Sequence, residues 1–175
     1  MATSTTPIAP VTEPLRDVAR EYDADPASLA GHAALIGIYT AGITGFSLYL
    51  RRTGRRWPTR VEPSDVALLG VATFKLSRLL SRASVTGVVR APFTRRKGRL
   101  KGPEVQDVPR GRGLRRSVGE LFTCPFCIAQ WIGTALTGAY VISPDATRTA
   151  AAALSAVALA DVLQYGHTAL QQAVD

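Results

Sequence analysis

"SDVALLGVATFKLSRLLSR" runs from Ser64 to Arg82, and its reading decides how the rest of the chain is arranged. The first half is apolar. The second half places Lys75, Arg78 and Arg82 at i, i+3 and i+7, on one face of a helix. Leu69, Ala72, Phe74, Leu76, Leu79 and Leu80 cover most of the remainder. Pro63-Ser64-Asp65 supplies a helix start, with Asp65 stabilising the first turn through the helix dipole. Such a helix has two possible homes. It can lie in a membrane interface with its basic face toward headgroups. It can also cross, with Lys75 and Arg78 snorkelling along their apolar stems.

The flanking sequence frames that choice. The chain has 175 residues, one domain's worth of material, and 46% of them are hydrophobic. Mean hydropathy is only +0.10 because the apolar residues are bunched. Leu29–Leu50, Leu121–Ile142 and Thr149–Leu170 carry almost no charge, and the third holds a single acid, Asp161. At ~1.5 Å per residue each reaches ~30 Å, the thickness of a bilayer's hydrocarbon core. In the first, Ala33, Gly37, Ala41 and Gly45 form a small-residue stripe where another helix can pack closely.

The net charge of +8 is bunched too. Arg51 to Arg116 holds 18 Lys/Arg against 4 Asp/Glu, while residues 1–30 and 117–175 are each net −3. A soluble nucleic-acid binder can be this basic, but it would not also carry three bilayer-length apolar runs. Basic segments between spans are what the positive-inside bias predicts. Five arginines lie in Arg51–Arg60 and ten Lys/Arg in Arg90–Arg116, so a crossing by residues 64–82 would put one group outside. The expectation is therefore an all-α, multi-pass protein of the cell membrane with three transmembrane helices. Residues 64–82 form an amphipathic interfacial or re-entrant helix, the N-terminus is outside and the C-terminus inside. The alternative has four transmembrane helices, both ends inside and Arg51–Arg60 outside.

Residues 1–28 read as a polar, Pro-punctuated tail without the basic and apolar regions of a signal peptide. Residues 29–175 form the membrane domain. Within it, residues 87–116 are Gly/Pro-punctuated and read as a mobile cytoplasmic loop. Its Arg95, Arg96, Lys97, Arg99 and Lys101 face anionic headgroups, each worth about 1 kcal/mol near such a surface. Phe93 is its only aromatic, which speaks against nucleic acid. Anionic membrane lipids are the expected partners, with a homo-oligomer or another membrane protein as further possibilities.

Cys124 and Cys127, in "TCPFC", are the only cysteines. Ser117-x-x-Glu120 ahead of them has capping-box spacing. Cys124 falls at a helix start and Pro125 at the first helical position, where its missing N–H costs nothing. Three readings stand. As structure, two small thiols pack against Trp131 and the next helix. As a redox pair, Cys124 is the nucleophile, its thiolate favoured by the helix dipole, and Cys127 resolves. As a metal site, Cys124 and Cys127 need further ligands, from His167 and a second chain.

"SPDATR" joins the last two spans as a tight turn, making an antiparallel hairpin. Counting from it sets Asp161 level with Cys127, and Gln164 and His167 level with Cys124. Asp161 is the costly residue, at ~2.5–3.5 kcal/mol for an acid at mid-span. Lys75 or Arg78 is its natural partner, docking residues 64–82 onto the hairpin in a polar cluster with Gln130 and Gln164. A proton relay needs a second buried acid, which the sequence does not offer. His32 falls on the opposite face. Neither a catalytic triad, a phosphate loop nor paired acids are present, and no cofactor is expected. The leading expectation is a non-enzymatic scaffold or interaction protein of unassigned activity. The alternatives are a membrane thiol–disulfide protein or a metal site completed by oligomerisation.

"ATFKLSRLLSR", "VTGVVRAPF" and "GELFTCPFCIAQW" together resemble domain-of-unknown-function family 1360, small bacterial and phage membrane proteins without assigned activity. The resemblance covers roughly Val66 to the C-terminus and leaves the first span outside. Gly119, Glu120, Cys124, Pro125, Cys127 and Trp131 are its most specific part. Lys75, Leu76, Arg78 and Leu79 are a second part, where the family usually reads R-L-x-R-L and this chain has Lys75. An acidic residue expected shortly after that helix is replaced by "SRASVTG". The resemblance implies a membrane protein and supplies no chemistry.

Overall fold

The computed structural model describes residues 26–100 and 104–174. Most of the sequence-predicted tail, and Lys101 of the basic segment, lie outside the described residues. The elements in order are α1 (Pro26–Arg52), α2 (Pro63–Arg82), α3 (Gly87–Arg90), β1 (Thr94–Arg99), β2 (Val105–Pro109), α4 (Leu114–Thr123), α5 (Pro125–Ile142) and α6 (Pro144–Val174). Three helical segments are long and apolar enough to cross a membrane: Ser28–Arg52, Pro125–Ile142 and Pro144–Ala173. They coincide with the three apolar runs of the sequence.

The helix directions decide the arrangement. α5 and α6 form the expected antiparallel hairpin, turning at Ser143, whose N–H is bonded to the Ala139 carbonyl at 2.8 Å. α2 packs against both. Its first turn meets the turn of the hairpin, where Tyr140 Oη and Arg148 donate to the Asp65 carboxylate. Further along, Ser155 Oγ donates to the Leu68 carbonyl at 3.3 Å, and Lys75 reaches Asp161. α2 is thus parallel to α6 and antiparallel to α5. Its 20 residues and the 18 of α5 span ~30 and ~27 Å.

α1 runs parallel to α5. His32 meets Glu120 just ahead of α5, Tyr39 Oη meets Thr134 Oγ1 at 2.7 Å, and Arg55 Nη1 donates to the Ile142 carbonyl at 2.7 Å. An N-terminus outside with residues 64–82 kept in the interface requires α1 and α5 to start at opposite ends. They start at the same end, and the chain returns between them along α2. That corrects the expected helix orientation.

The all-α expectation is corrected by a two-stranded antiparallel sheet, and the expected mobile loop at 87–116 by a folded head. β1 pairs with β2 in the register Thr94↔Pro109, Arg96↔Asp107 and Arg99↔Val105, with an irregularity between Arg96 and Gly98. Alternation shows in β2 alone. Val105 and Asp107 of β2 are buried and Gln106 between them is exposed, while in β1 only Thr94 is buried and Arg95, Arg96, Lys97 and Arg99 are all exposed. The capping-box reading also fails. α4 starts after Gly113 (φ 55°), so Ser117 sits mid-helix, buried, its hydroxyl 3.3 Å from the Ser28 carbonyl. A Cβ on Gly31 would come 2.2 Å from Ser117 Oγ, so only glycine lets α1 approach α4 there.

Few large side chains are enclosed. Ala72, Ala151 and Ala158 are buried together with Ser77 and Ser81, small residues that let helix backbones approach. Ile36, Ile38, Val66, Phe74, Val162, Leu163 and Leu170 are each more than half exposed. The bundle therefore carries its apolar surface outward, far beyond the scattered apolar residues of a soluble monomer.

Candidate functional site

Cys124 ends α4 and caps α5. Its backbone is extended (φ −106°, ψ 104°), and its N–H still bonds to the Glu120 carbonyl at 3.1 Å. Its Sγ accepts from the Cys127 N–H at 3.2 Å, satisfying one of the unpaired donors of the first turn. Pro125 takes the first helical position, as the sequence predicts. Cys124 and Cys127 are joined in a disulfide, with Cα atoms 5.2 Å apart. Cys127 is exposed and Cys124 half-buried, and Phe126 between them is 89% exposed. The two sulfurs thus sit at an elbow between a surface helix and a long apolar one.

The elbow is held from α1. Glu120 Oε2 lies 2.9 Å from His32 Nε2, and its Oε1 accepts from Arg116 Nε at 3.0 Å. The placement of His32 on the opposite face is corrected by this contact. Gly119, in the preceding position, lies against β1 and β2. A Cβ there would be 2.4 Å from the Phe93 carbonyl oxygen and 3.1 Å from Pro109 Cβ.

The polar cluster expected around Asp161 separates into distinct contacts. Lys75 Nζ reaches Asp161 Oδ2 at 2.5 Å, as one of the two predicted pairings. Arg78 instead points into the head, its Nε 3.1 Å from Glu104 Oε1. Gln130 Nε2 donates to Tyr39 Oη at 2.8 Å, tying α5 to α1 with Trp131 edge-on to the Tyr39 ring. Gln164 and His167 lie exposed on α6. Among the described residues no group of three or more His, Cys, Asp or Glu side chains gathers to hold a metal ion, so His167 does not join the cysteines. Of the basic segment, Arg96 is 3.9 Å from Asp107, while Arg95, Lys97 and Arg99 are exposed and make no ion pair among the described residues.

Two clusters carry no expectation from the sequence. Arg90 is fully buried and organises the head. Its Nε donates to Asp107 Oδ2 at 2.9 Å. Its Nη1 donates to the Leu80 carbonyl (2.7 Å), the Ala83 carbonyl (3.1 Å) and Thr86 Oγ1 (2.7 Å), and Nη2 also reaches Ala83. One guanidinium thereby caps the open carbonyls at the end of α2 and ties β2 to it. The signal was present: Arg90 is the only charge between Ala83 and Phe93. At the far end, Arg148 holds Asp65 with Nε at 2.9 Å and Nη2 at 2.7 Å, a bidentate grip shared with Tyr140 Oη. Both arginines are the rigid-fork kind of contact that lysine cannot replace.

A bundle of apolar helices, tied at mid-length by a lysine–aspartate pair and closed at one end by a basic hairpin head, defines the structural class. The chain belongs to the family described as protein of unknown function (DUF1360), which matches residues 68–167. It is also similar to the sporulation protein YjcA of Bacillus subtilis (strain 168), at 28% identity over 102 residues, 57% of this chain and 86% of that protein. No solved structure matches the chain. The family match begins in α2 and ends in α6, so α1 lies outside it.

Proposed function

We propose that this chain is an integral membrane protein in which α1, α2, α5 and α6 all cross, with both ends and the basic head on the cytoplasmic side. Its role is that of a non-enzymatic scaffold or interaction protein. The observation that carries the reading is the parallel course of α1 and α5 with α2 returning between them. If two parallel helices cross, the segment joining them must cross as well. The outward apolar surface supports a lipid environment. The Lys75–Asp161 pair joining α2 to α6 supports it too, because charges within a span pair with one another. Charge bias sets the orientation. Arg82 to Arg116 holds eleven Lys/Arg at the head end, against Arg51–Arg60 and Arg148 at the other. Arg95, Lys97 and Arg99 of the head then face the anionic inner leaflet.

Labelling of single cysteines in a cysteine-free background with a membrane-impermeant maleimide tests this. Thr59→Cys is expected to react in intact cells and Lys97→Cys only after permeabilisation. Reaction of both from the same side overturns the four-crossing arrangement.

A second reading is favoured by the closed disulfide with Cys127 exposed. In thiol–disulfide exchange, a substrate thiolate attacks one sulfur of the bond and forms a mixed disulfide. The other sulfur leaves as a thiolate. A second substrate thiolate then releases the oxidised substrate disulfide, and both protein thiols are left reduced. In the reverse direction, the one thiolate left in Cys124→Ser or Cys127→Ser attacks the disulfide of an oxidised substrate, one substrate sulfur leaves as a thiolate, and the mixed disulfide persists because no second protein thiol resolves it. Failure of both variants to accumulate a mixed disulfide in cells removes this reading.

A further inference from the structure

We propose that the groove between α1 and α5 is a binding site for one anionic phospholipid, with its acyl chains in the groove and its phosphate among the arginines that follow α1. The proposal rests on the membrane reading above. The groove encloses about 930 Å³, the size of a ligand site. Ile38, Ile43 and Phe46 line it from α1, Trp131 and Ile142 from α5, and Trp57 stands at one end. It is closed at mid-length by the Tyr39, Thr134 and Gln130 hydrogen bonds. Gly42 keeps the α1 wall low, with nothing within 4 Å of the place a Cβ would take.

The mouth is where chemistry selects the occupant. Arg55 reaches across to the Ile142 carbonyl, the last of α5. Arg56 follows it, exposed, with Trp57 of the groove next in the chain, and among the described residues neither arginine makes an ion pair. An apolar slot that opens under unpaired guanidinium groups is complementary to a lipid with an anionic head. Guanidinium also matches a phosphodiester through paired N–H donors. A neutral lipid would fill the slot and leave the arginines without a counter-ion. On the four-crossing arrangement this collar lies on the outer side, against the charge bias. A lipid phosphate held there accounts for that departure.

Trp57 and Trp131 are the only tryptophans in the chain, and both line the groove. The full chain in phosphatidylcholine vesicles, titrated with phosphatidylglycerol or phosphatidylcholine brominated on the acyl chains, reports occupancy by fluorescence quenching. Two guanidinium contacts predict about a 30-fold preference for the anionic lipid. Arg55→Gln/Arg56→Gln is expected to bring the preference near unity. Gly42→Leu fills the groove and should abolish saturable quenching. Gly45→Leu, in open space outside the groove, should leave it intact. Helix content matched to the natural chain by circular dichroism qualifies each variant.

Equal quenching by both lipids in the natural chain overturns the proposal, leaving only a general lipid annulus. Protection of both tryptophans with cross-linking between copies overturns it in favour of a second chain. The vesicle assay is indifferent to orientation. If Thr59→Cys and Lys97→Cys label from one side while the preference stands, the four-crossing reading falls alone. If labelling is as expected and the preference is absent, the lipid site falls alone.

Discussion

Arg90→Met is the sharpest test of how the head is built. The guanidinium is fully enclosed, and its loss strands three sets of partners at once. Asp107 keeps a buried carboxylate whose Oδ2 has no donor, and its Oδ1 already lacks a hydrogen bond. The Leu80 and Ala83 carbonyls at the end of α2 lose their cap. Removing one member of a buried pair costs about 3–5 kcal/mol, mostly because the remaining charge is left uncompensated. Arg90→Lys keeps the charge but cannot reach Asp107 and the helix carbonyls together, so most of that loss should remain. Arg90→Met/Asp107→Leu removes both charges and should recover roughly half. Hydrogen exchange of the hairpin amides reads this directly. Leu100 N–H bonds to Glu104 and Arg110 N–H to Phe93, and both report opening of the head. A loss of ~3 kcal/mol speeds their exchange by about 150-fold, at 1.4 kcal/mol per factor of ten. Exchange within about threefold of the natural chain in Arg90→Met would refute the assignment of Arg90 as the organising contact.

Three further outcomes follow from the contacts. Gly119→Ala gains up to about 1 kcal/mol of helix propensity, but its Cβ meets the Phe93 carbonyl oxygen inside contact distance. A net loss of about 1–2 kcal/mol is expected, seen as faster exchange at Arg110 N–H; a stabilised variant would mean α4 does not press on the hairpin. Lys75→Met leaves Asp161 alone at mid-bundle and should lower thermal stability in micelles by about 2–3 kcal/mol, whereas Lys75→Met/Asp161→Leu should return to or exceed the natural chain. If the double variant is as weak as the single one, the ion pair is not what joins α2 to α6. Asp65→Asn loses the bidentate bond to Arg148 and should loosen the hairpin turn. Its readout is hydrogen exchange at Ser143 and Thr147, and unchanged exchange there would separate the cluster from the turn.

Much of this architecture is legible in residue order. The three long apolar helices, the helix start at Pro63, the cap at Cys124 and the Lys75–Asp161 pair all follow from local rules of length, capping and charge cost. What failed to follow depends on contacts distant in the chain. The direction of α1 relative to α5 is set by His32–Glu120 and Tyr39–Thr134, partners that no periodicity brings together. The head was hidden for a different reason. Its strands are six and five residues long, broken by Gly98 and a bulge, and rich in outward basic side chains, so an alternating apolar pattern barely shows. Val105-x-Asp107 is the alternation that was there to be read, with the inward acid matched to Arg90. At the candidate site, the elbow at Cys124 was predictable. Its brace from Glu120 to His32 was not, because Ser117 and Glu120 mimic a helix cap while serving as contacts to α1.

The reach of Arg90's bonds has a kinetic consequence. Its acceptors lie 4, 7, 10 and 17 residues away, whereas the contacts that close the bundle join residues 83, 86 and 95 positions apart. Short loops close early and cheaply; long ones wait for the intervening chain. During synthesis, α2 and the head are complete before α5 and α6 exist. The head is therefore expected to protect its amides first in a pulse-labelled refolding experiment, and α2, already capped by it, then offers α5 and α6 a finished docking face. On that order of events, α2, fixed at its end by Arg90, is the part of the molecule on which the rest assembles.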